Sequence, residues 1–259
     1  LAGTLTAMPK PPTPWHEIRH ILDSPVIHTL SLDIFDTLLL RRLAPEYYRF
    51  LRIAEHIGRV LQQHGLERPN VEIFQARLLA TGIIYRTMQE RDGDGEGQHD
   101  RIIALQLRAL DLPQSLSPLL VEIEATYEIN VLSPDRQVVA LVNHVRQLGK
   151  RVILVSDMYL RGSTIATILD AHDVRQLTDA TYVSSEVGMT KHRGGLFQHV
   201  IEREGRPAGG YLHIGDNHHA DLLSARRLGW VAVWRPRPLA WRVINYGWNN
   251  FYRLYAAIT

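Results

Sequence analysis

Asp33 follows the apolar run Val26–Leu32, and Asp36 and Thr37 lie within the next four residues. A carboxylate at the C-terminal end of a buried strand can attack phosphorus and carry the phosphoryl group covalently. Three further clusters suit the same chemistry. Ser156 ends the run from Val152, Lys191 follows Thr181–Val183 in Gly188-Met-Thr-Lys191, and Gly215-Asp216-Asn-His-His-Ala-Asp221 follows Tyr211–Ile214. Thr37 and Ser156 can donate hydroxyl hydrogen bonds to phosphoryl oxygens. Lys191 can neutralise both the nucleophile and the charge that develops during transfer. Asp216 and Asp221, together with Asp33, offer the hard oxygens that Mg²⁺ prefers. Taken singly these signals are weak, since a lone Ser or Lys after a strand is usually a surface or capping residue. Their weight lies in their order and in the strand ends they share.

The elements that must position these groups are legible as well. The runs Val26–Leu32, Val152–Val155, Thr181–Val183, Tyr211–Ile214 and Val231–Trp234 are short, β-branched and bounded by polar clusters. Between the later ones lie the helical patterns Pro134–Leu148, with Ser133 as N-cap, then Leu196–Glu204 and Ala220–Leu228. This alternation predicts βαβ units and an α/β fold with a buried parallel sheet, whose ligands bind beyond the carboxyl ends of the strands. Residues 45–132 break the alternation. Glu46–Leu61, Val71–Gln89, Asp100–Leu110 and Ser117–Glu128 all read as helix. The expected organisation is therefore an α/β core from residues 1–44 and 133–259, with a helical cap over residues 45–132. Its position just after Asp33 suits a lid that excludes water and selects substrate.

Composition sets the outer limits. A chain of 259 residues with 45% hydrophobic and 22% charged residues can bury a sizeable core. A net charge of +2 gives no global reason to expect nucleic acid. With no cysteine there are no disulfides and no thiolate metal sites. No run of about 18 apolar residues predicts a spanning helix. The Pro-rich start Leu1–Pro14 lacks a secretory signal pattern, and an initial Leu fits a processed form or a piece of a longer protein. The expected compartment is the cytoplasm, with the inner face of a membrane as the alternative for the C-terminal tail.

In their order and placement the four clusters resemble the motifs of the haloacid dehalogenase-like (HAD) hydrolase superfamily, and they span residues 33 to 221. The resemblance implies a Rossmann-like parallel sheet of strand order 3-2-1-4-5 with an all-helical cap inserted after the first strand. It implies Mg²⁺-dependent phosphoryl transfer through Asp33 to and from a small phosphorylated metabolite. Thr37, Ser156 and Lys191 would be catalytic, and the metal would be held by Asp33, the Phe35 backbone carbonyl, Asp216 and Asp221. The stretch Ser31-Leu-Asp-Ile-Phe-Asp-Thr-Leu-Leu39, with Glu186, Lys191 and Gly195-Leu-Phe197, is also similar to HAD-like domains of bacterial glycosyltransferase and surface-polysaccharide proteins. That narrower likeness implies a sugar- or glycan-related substrate, a role in polysaccharide biosynthesis, and a glycosyltransferase domain or partner.

The family's proton donor stands two residues after the nucleophile, and here that residue is Phe35. Its backbone carbonyl survives the change and only proton transfer is lost, an effect of about 10²–10⁴-fold. The loss matters for an alkoxide leaving group and little for an acyl phosphate or anhydride. Asp36 is the candidate substitute acid. The alternatives to turnover of an activated phosphate are a catalytically weak interaction domain and, ranked lower, a haloacid dehalogenase. Dehalogenases carry an aromatic residue at this position but lack the acidic fourth motif. Arg41, Arg42 and His218 are candidate substrate-binding residues.

Two further stretches call for a reading. Asp92-Gly-Asp94-Gly-Glu96-Gly97 looks like a calcium loop, but its twelfth position is Ile103 where a bidentate Glu is needed, so a mobile interhelical turn is expected. Trp241, Ile244, Trp248, Phe251, Tyr252 and Tyr255 fall near helical spacing in an acid-free tail. They are expected to pack on the core, with a partner or membrane contact as the alternative.

Overall fold

The computed structural model describes residues 14–92 and 95–258. Five parallel strands form the central sheet: β1 (Thr29–Leu32), β4 (Arg151–Ser156), β5 (Ala180–Val183), β6 (Tyr211–Gly215) and β7 (Val231–Trp234). A short antiparallel pair, β2 (Leu39–Arg41) and β3 (Leu132–Pro134), stands apart. The spatial order is β5-β4-β1-β6-β7. Counting only the sheet strands along the chain, this is the expected order 3-2-1-4-5.

The sheet is buried because its strands are apolar on both faces. Leu30, Leu32, Val152, Leu154, Leu212 and Ile214 are fully buried in a core that runs into the cap, and Ile153, Val155 and Tyr211 fill a second cluster with Phe197 and Trp230. Continuous apolar strands are what a parallel sheet covered on both faces requires. Parallel pairing also forces each connection back across a face, so all the strand ends collect on one edge. There Leu32 lies beside Leu154 on one side and Ile214 on the other, which brings the residues following β1, β4 and β6 together.

The insertion is helical: α2 (Glu46–Gln63), α3 (Asn70–Asp92), α4 (His99–Ala109) and α5 (Ser117–Val131). Its neck is the β2–β3 ladder, which the sequence reading misses because three-residue strands carry no periodicity. Ser133 is therefore a strand residue, and Asp135 caps the next helix, α6 (Arg136–Gln147), accepting from the Gln137 and Val138 N–H groups. Among the described residues, α1 (Trp15–Asp23) and α7 (Gly162–Ala171) escaped the sequence reading, as did the single-turn α8 (Ser184–Val187). The first strand starts at Thr29, and Val26 is 65% exposed.

Later elements differ in a more telling way. The predicted helix Ala220–Leu228 is a π-helical turn over His218–Leu223 that continues as α10 (Ser224–Arg227), after α8 (Ser184–Val187) and α9 (Gly195–Glu204). Residues 93 and 94 of the loop compared with a calcium site lie outside the described residues. Glu96 is buried against the Ser184 hydroxyl and the Gly97 N–H, so this end of the loop is pinned. The tail forms α11 (Leu239–Ile258), which packs on α2 through Tyr48, Trp248 and Tyr252. Expected core packing is only half met, since Ile244 and Phe251 remain 46% and 64% exposed. No described helix is long and apolar enough to cross a membrane.

Candidate active site

Asp33 sits immediately after β1, and its N–H donates to the Ile214 carbonyl on β6 at 2.9 Å. The next turn is tight. The Asp36 N–H bonds the Leu39 carbonyl, and Asp36 adopts φ of 60°. Aspartate tolerates this left-handed geometry because its short side chain bonds nearby backbone, and here Asp36 accepts from the Arg41 N–H at 3.2 Å. The turn leaves Thr37 buried beneath the strand end.

Lys191 is buried at the centre of the floor. Its ammonium donates to Asp33 Oδ1 and Asp221 Oδ1, both at 2.6 Å. Asp157, which the sequence reading passed over, fixes the loop that delivers it by accepting from the Lys191 and His192 N–H groups at 2.6 and 3.2 Å. The available signal was its place beside Ser156 at a strand end.

Asp221 is delivered by the π-helical turn, which the Asn217 side chain caps by accepting from the His219 and Ala220 N–H groups. A Cβ at Gly215 would stand 2.2 Å from the Asp221 carboxyl carbon, so only glycine fits there. Asp221 also accepts from the Asn217 N–H at 2.8 Å and pairs with buried His213 at 3.2 Å.

The electrostatics of the floor are lopsided. Asp33, Asp157, Asp216 and Asp221 surround a single ammonium. Burial pushes the Asp33 carboxyl up to about 7, against the pull of Lys191. Burial and the neighbouring carboxylates of Asp33, Asp36 and Asp221 push Asp216 well above the ordinary range. Burial would also raise Asp221, but Lys191 and His213 hold it below the usual value. Lys191 is raised despite its burial, because Asp221 and Asp33 favour its charged form.

One carboxylate oxygen each from Asp33, Asp216 and Asp221 lies within 4.8 Å of the others. Trans ligands of an octahedral ion with bonds of about 2.0–2.1 Å stand about 4.2 Å apart, so oxygens spread over as much as 4.8 Å would have to draw in slightly around Mg²⁺. The Thr37 and Ser156 hydroxyls are buried and have no hydrogen-bond partner among the described residues. Buried groups of this kind are satisfied by ordered water, an ion or a ligand. Ser156 lines the cavity beside the carboxylates, whereas Thr37 is buried and does not line it; the carboxylates and the Ser156 hydroxyl fit a divalent cation with a phosphoryl group beside it.

Asp33, Ser156, Lys191, Asp216 and Asp221 line one cavity of about 590 Å³ together with Phe35, Asp36, Asp157 and His192. Cap residues Arg49, Thr81 and Tyr85 line its far side. The Phe35 ring is 8% exposed and lies under the Arg41 guanidinium, 4.5 Å from ring centroid to Cζ. Arg41 reaches Glu128 through Nε and Nη2 at 3.2 Å, and its Nη1 pairs with Asp36 at 3.5 Å.

Three candidates change role. The Asp36 carboxylate is taken up by Arg41 and by Arg237, at 3.3 Å, so its geometry is that of a clamp rather than a proton donor. Arg42 is exposed, joins the cap neck through its N–H to the Val131 carbonyl, and does not line the cavity. His218 is also exposed and stacks edge-on against Trp234 at 5.1 Å; His192 is the imidazole that lines the cavity. Arg49 was missed, because a basic residue on an amphipathic helix carries no signal of its own.

The family model for haloacid dehalogenase-like hydrolases matches residues 27–229. Among solved structures, the chain is similar to a HAD phosphatase from Thermococcus onnurineus, with 17% identity over 82% of this chain and 88% of that one, at a TM-score of 0.55. It is similar to the same degree to a 2-haloacid dehalogenase from Pseudomonas syringae, with 14% identity over 80% and 86% of the two chains and a TM-score of 0.55. A magnesium-bound HAD hydrolase, YfnB from Bacillus subtilis, matches with 17% identity over 85% and 99% of the chains and a TM-score of 0.51.

Proposed function

The chain belongs to the haloacid dehalogenase-like hydrolases, and from that premise we propose that it is a Mg²⁺-dependent phosphatase or phosphotransferase for activated phosphates. The observation that carries the reading is the pairing of a carboxylate trio with two orphaned hydroxyls around Asp33. Asp33, Asp216 and Asp221, with the Phe35 carbonyl, would hold the cation. When bound, it offsets the surplus negative charge of the floor and polarises a phosphoryl oxygen.

The chain's own groups account for the rest. An Asp33 oxygen attacks phosphorus, the bond to the leaving oxygen breaks, and that oxygen departs with the electron pair. Thr37 and Ser156 donate to the phosphoryl oxygens, and Lys191 balances charge as it builds. Phe35, fixed under Arg41, offers no proton, and Asp36 is held by two arginines. The substrate is therefore one whose leaving group departs without a proton, such as an acyl phosphate or a phosphoanhydride. Water then attacks the aspartyl phosphate, or another acceptor takes the phosphoryl group. Dehalogenation is disfavoured because it has no use for Asp216 and Asp221 together.

The test is release of phosphate from acetyl phosphate with Mg²⁺ present. Turnover should fall by about 10³-fold or more in Asp33→Asn and collapse when the cation is chelated. Absence of turnover on acyl phosphates and anhydrides alike would overturn the reading. A second reading, a weakly active interaction domain in glycan assembly beside a glycosyltransferase, is favoured by the exposed apolar side of α11. It requires binding to such a partner without turnover.

A further inference from the structure

Two polar side chains stand where the sheet is otherwise apolar. Ser31 on β1 and His213 on β6 are direct neighbours across the parallel ladder. Both are fully buried, on the face where Ile153, Val155, Phe197 and Trp230 form the second core cluster. The rings of Phe197 and Trp230 stand edge-on to the His213 imidazole, at 4.9 and 6.2 Å between centroids, and wall it in. Neither Ser31 nor His213 lines the catalytic cavity. Burying a polar group costs free energy unless it finds a partner, so such a pair inside a sheet calls for a reason.

Their partners supply one. His213 Nε2 lies 3.2 Å from Asp221 Oδ1, and Nδ1 lies 2.8 Å from the Ser31 hydroxyl. An ionised carboxylate only accepts, so Nε2 carries the proton. On a neutral ring Nδ1 is then the acceptor, and the Ser31 hydroxyl donates to it. Ser31 thereby selects the tautomer that can serve Asp221. A ring with its proton on Nδ1 would turn a lone pair on the carboxylate instead.

The bonds at Asp221 show what the pair achieves. Oδ1 accepts from His213 and from the Lys191 ammonium at 2.6 Å, which takes both its lone pairs. Oδ2 accepts from the Asn217 N–H at 2.8 Å and keeps one site open. Lys191 also donates to Asp33 Oδ1 at 2.6 Å. A continuous buried chain therefore runs from Ser31 through His213, Asp221 and Lys191 to Asp33. Without the His213 N–H, more of the Asp221 charge would fall to Lys191, and the ammonium would be drawn away from Asp33.

We infer that His213, oriented by Ser31, is a positioning residue for phosphoryl transfer: it holds Asp221 from behind and so keeps the Lys191 ammonium shared with Asp33. The inference rests on the reading of Asp33 as phosphoryl acceptor. The test compares His213→Leu, His213→Gln and Ser31→Ala with the unaltered chain, with turnover of acetyl phosphate in Mg²⁺ expressed per folded molecule. His213→Leu should lower kcat by about 10–100-fold, the usual worth of a partner one step behind a working group. KM should stay within about twofold, since the ring touches no substrate. His213→Gln, which keeps a side-chain N–H, should recover part of the loss. Ser31→Ala, the mildest change to the core, should lower kcat about three- to tenfold, the effect of one lost hydrogen bond.

A purely structural role predicts lower melting midpoints with kcat per folded molecule unchanged. That result would overturn the inference, as would a His213→Gln variant no better than His213→Leu. Nitrogen-15 NMR of the His213 ring and the Lys191 ammonium reads the same chain without turnover. The ring should carry its proton on Nε2, and the Lys191 signal should shift in His213→Leu and Ser31→Ala. A protonated Nδ1, or a Lys191 signal that does not move, would also overturn it. If the unaltered chain does not turn over acetyl phosphate, the catalytic reading fails, and the NMR signals alone decide whether Ser31 and His213 place Lys191.

Discussion

Two buried clusters of charge lie a few residues apart in this molecule, and they are built on opposite principles. On the cleft floor, four aspartates face one lysine and two hydroxyls stand unpartnered. In the cap, Glu124 and Glu128 on α5 are matched by Arg41, Arg49 and Arg77. Arg77 grips Glu124 with both terminal nitrogens at 2.8 and 2.6 Å, while Tyr159 and His99 add bonds at 2.6 and 2.8 Å. Burial alone would raise both glutamates, yet Arg77 and His99 hold Glu124 low, and Arg41 and Arg49 hold Glu128 low. On the floor burial prevails, and Asp33 and Asp216 are raised. The cap cluster balances its charges, although Arg49 Nε, Arg77 Nε and His99 Nδ1 have no partner among the described residues; the floor keeps a surplus of negative charge, and that surplus is what suits a bound cation.

The sharpest way to break this contrast is Glu124→Gln. It leaves Arg77 buried without its charge partner, so thermal stability should fall by about 3–5 kcal/mol, read from denaturation midpoints. The same contacts set a pH dependence. Because the folded pKa values of Glu124 and Glu128 lie below the unfolded value of about 4.3, their stabilisation is fully present above that pH and is lost progressively as pH falls from there through the folded values. A stability profile that stays flat down to pH 3 would mean the cap cluster is not held by its charges.

Phe35→Asp should come next in size. Restoring an acid beside Asp33 should raise turnover of an alkyl phosphate by about 10²-fold while changing acetyl phosphate little, as side-by-side kcat values would show. Equal gains on both would mean that Phe35 limits something other than proton delivery. The smallest effect distinguishes the floor from the cap most directly. The Ser156 and Thr37 hydroxyls are unpartnered, so Ser156→Ala and Thr37→Val should leave stability within about 1 kcal/mol of the unaltered chain, or raise it. The same variants should raise KM for acetyl phosphate about tenfold. A large loss of stability would show that these hydroxyls are part of the fold rather than held for a ligand.

The contrast also explains what could be read early. Strands of apolar, β-branched residues must be buried and parallel, and each places the residue after it on one sheet edge, so Asp33, Ser156, Lys191 and Asp216 were legible from spacing. Asp157 was missed because its part is to accept from the backbone of a distant loop. The β2–β3 neck was missed because each strand is three residues long and pairs across the whole insertion. Asp36, Arg42 and His218 sit in surroundings other than those expected, because nearness in sequence to a motif does not fix where a side chain points.

The sequence by itself determined the sheet, the helical insertion, the candidate nucleophile Asp33 and a side chain without a proton to give at Phe35, since each is set by local residue type and period. Only the tertiary structure decided how charge is shared. Lys191 lies between Asp33 and Asp221, Arg41 covers Phe35 and occupies Asp36, and α11 closes a second cavity against the cap. Lys191 joins residues 158 and 30 positions away, and the second cavity joins the turn after β1 to the C-terminal helix, whereas Arg41 meets Phe35 and Asp36 within its own stretch of chain. Their outcome depends on which groups burial strips of water and which partners remain within hydrogen-bond reach.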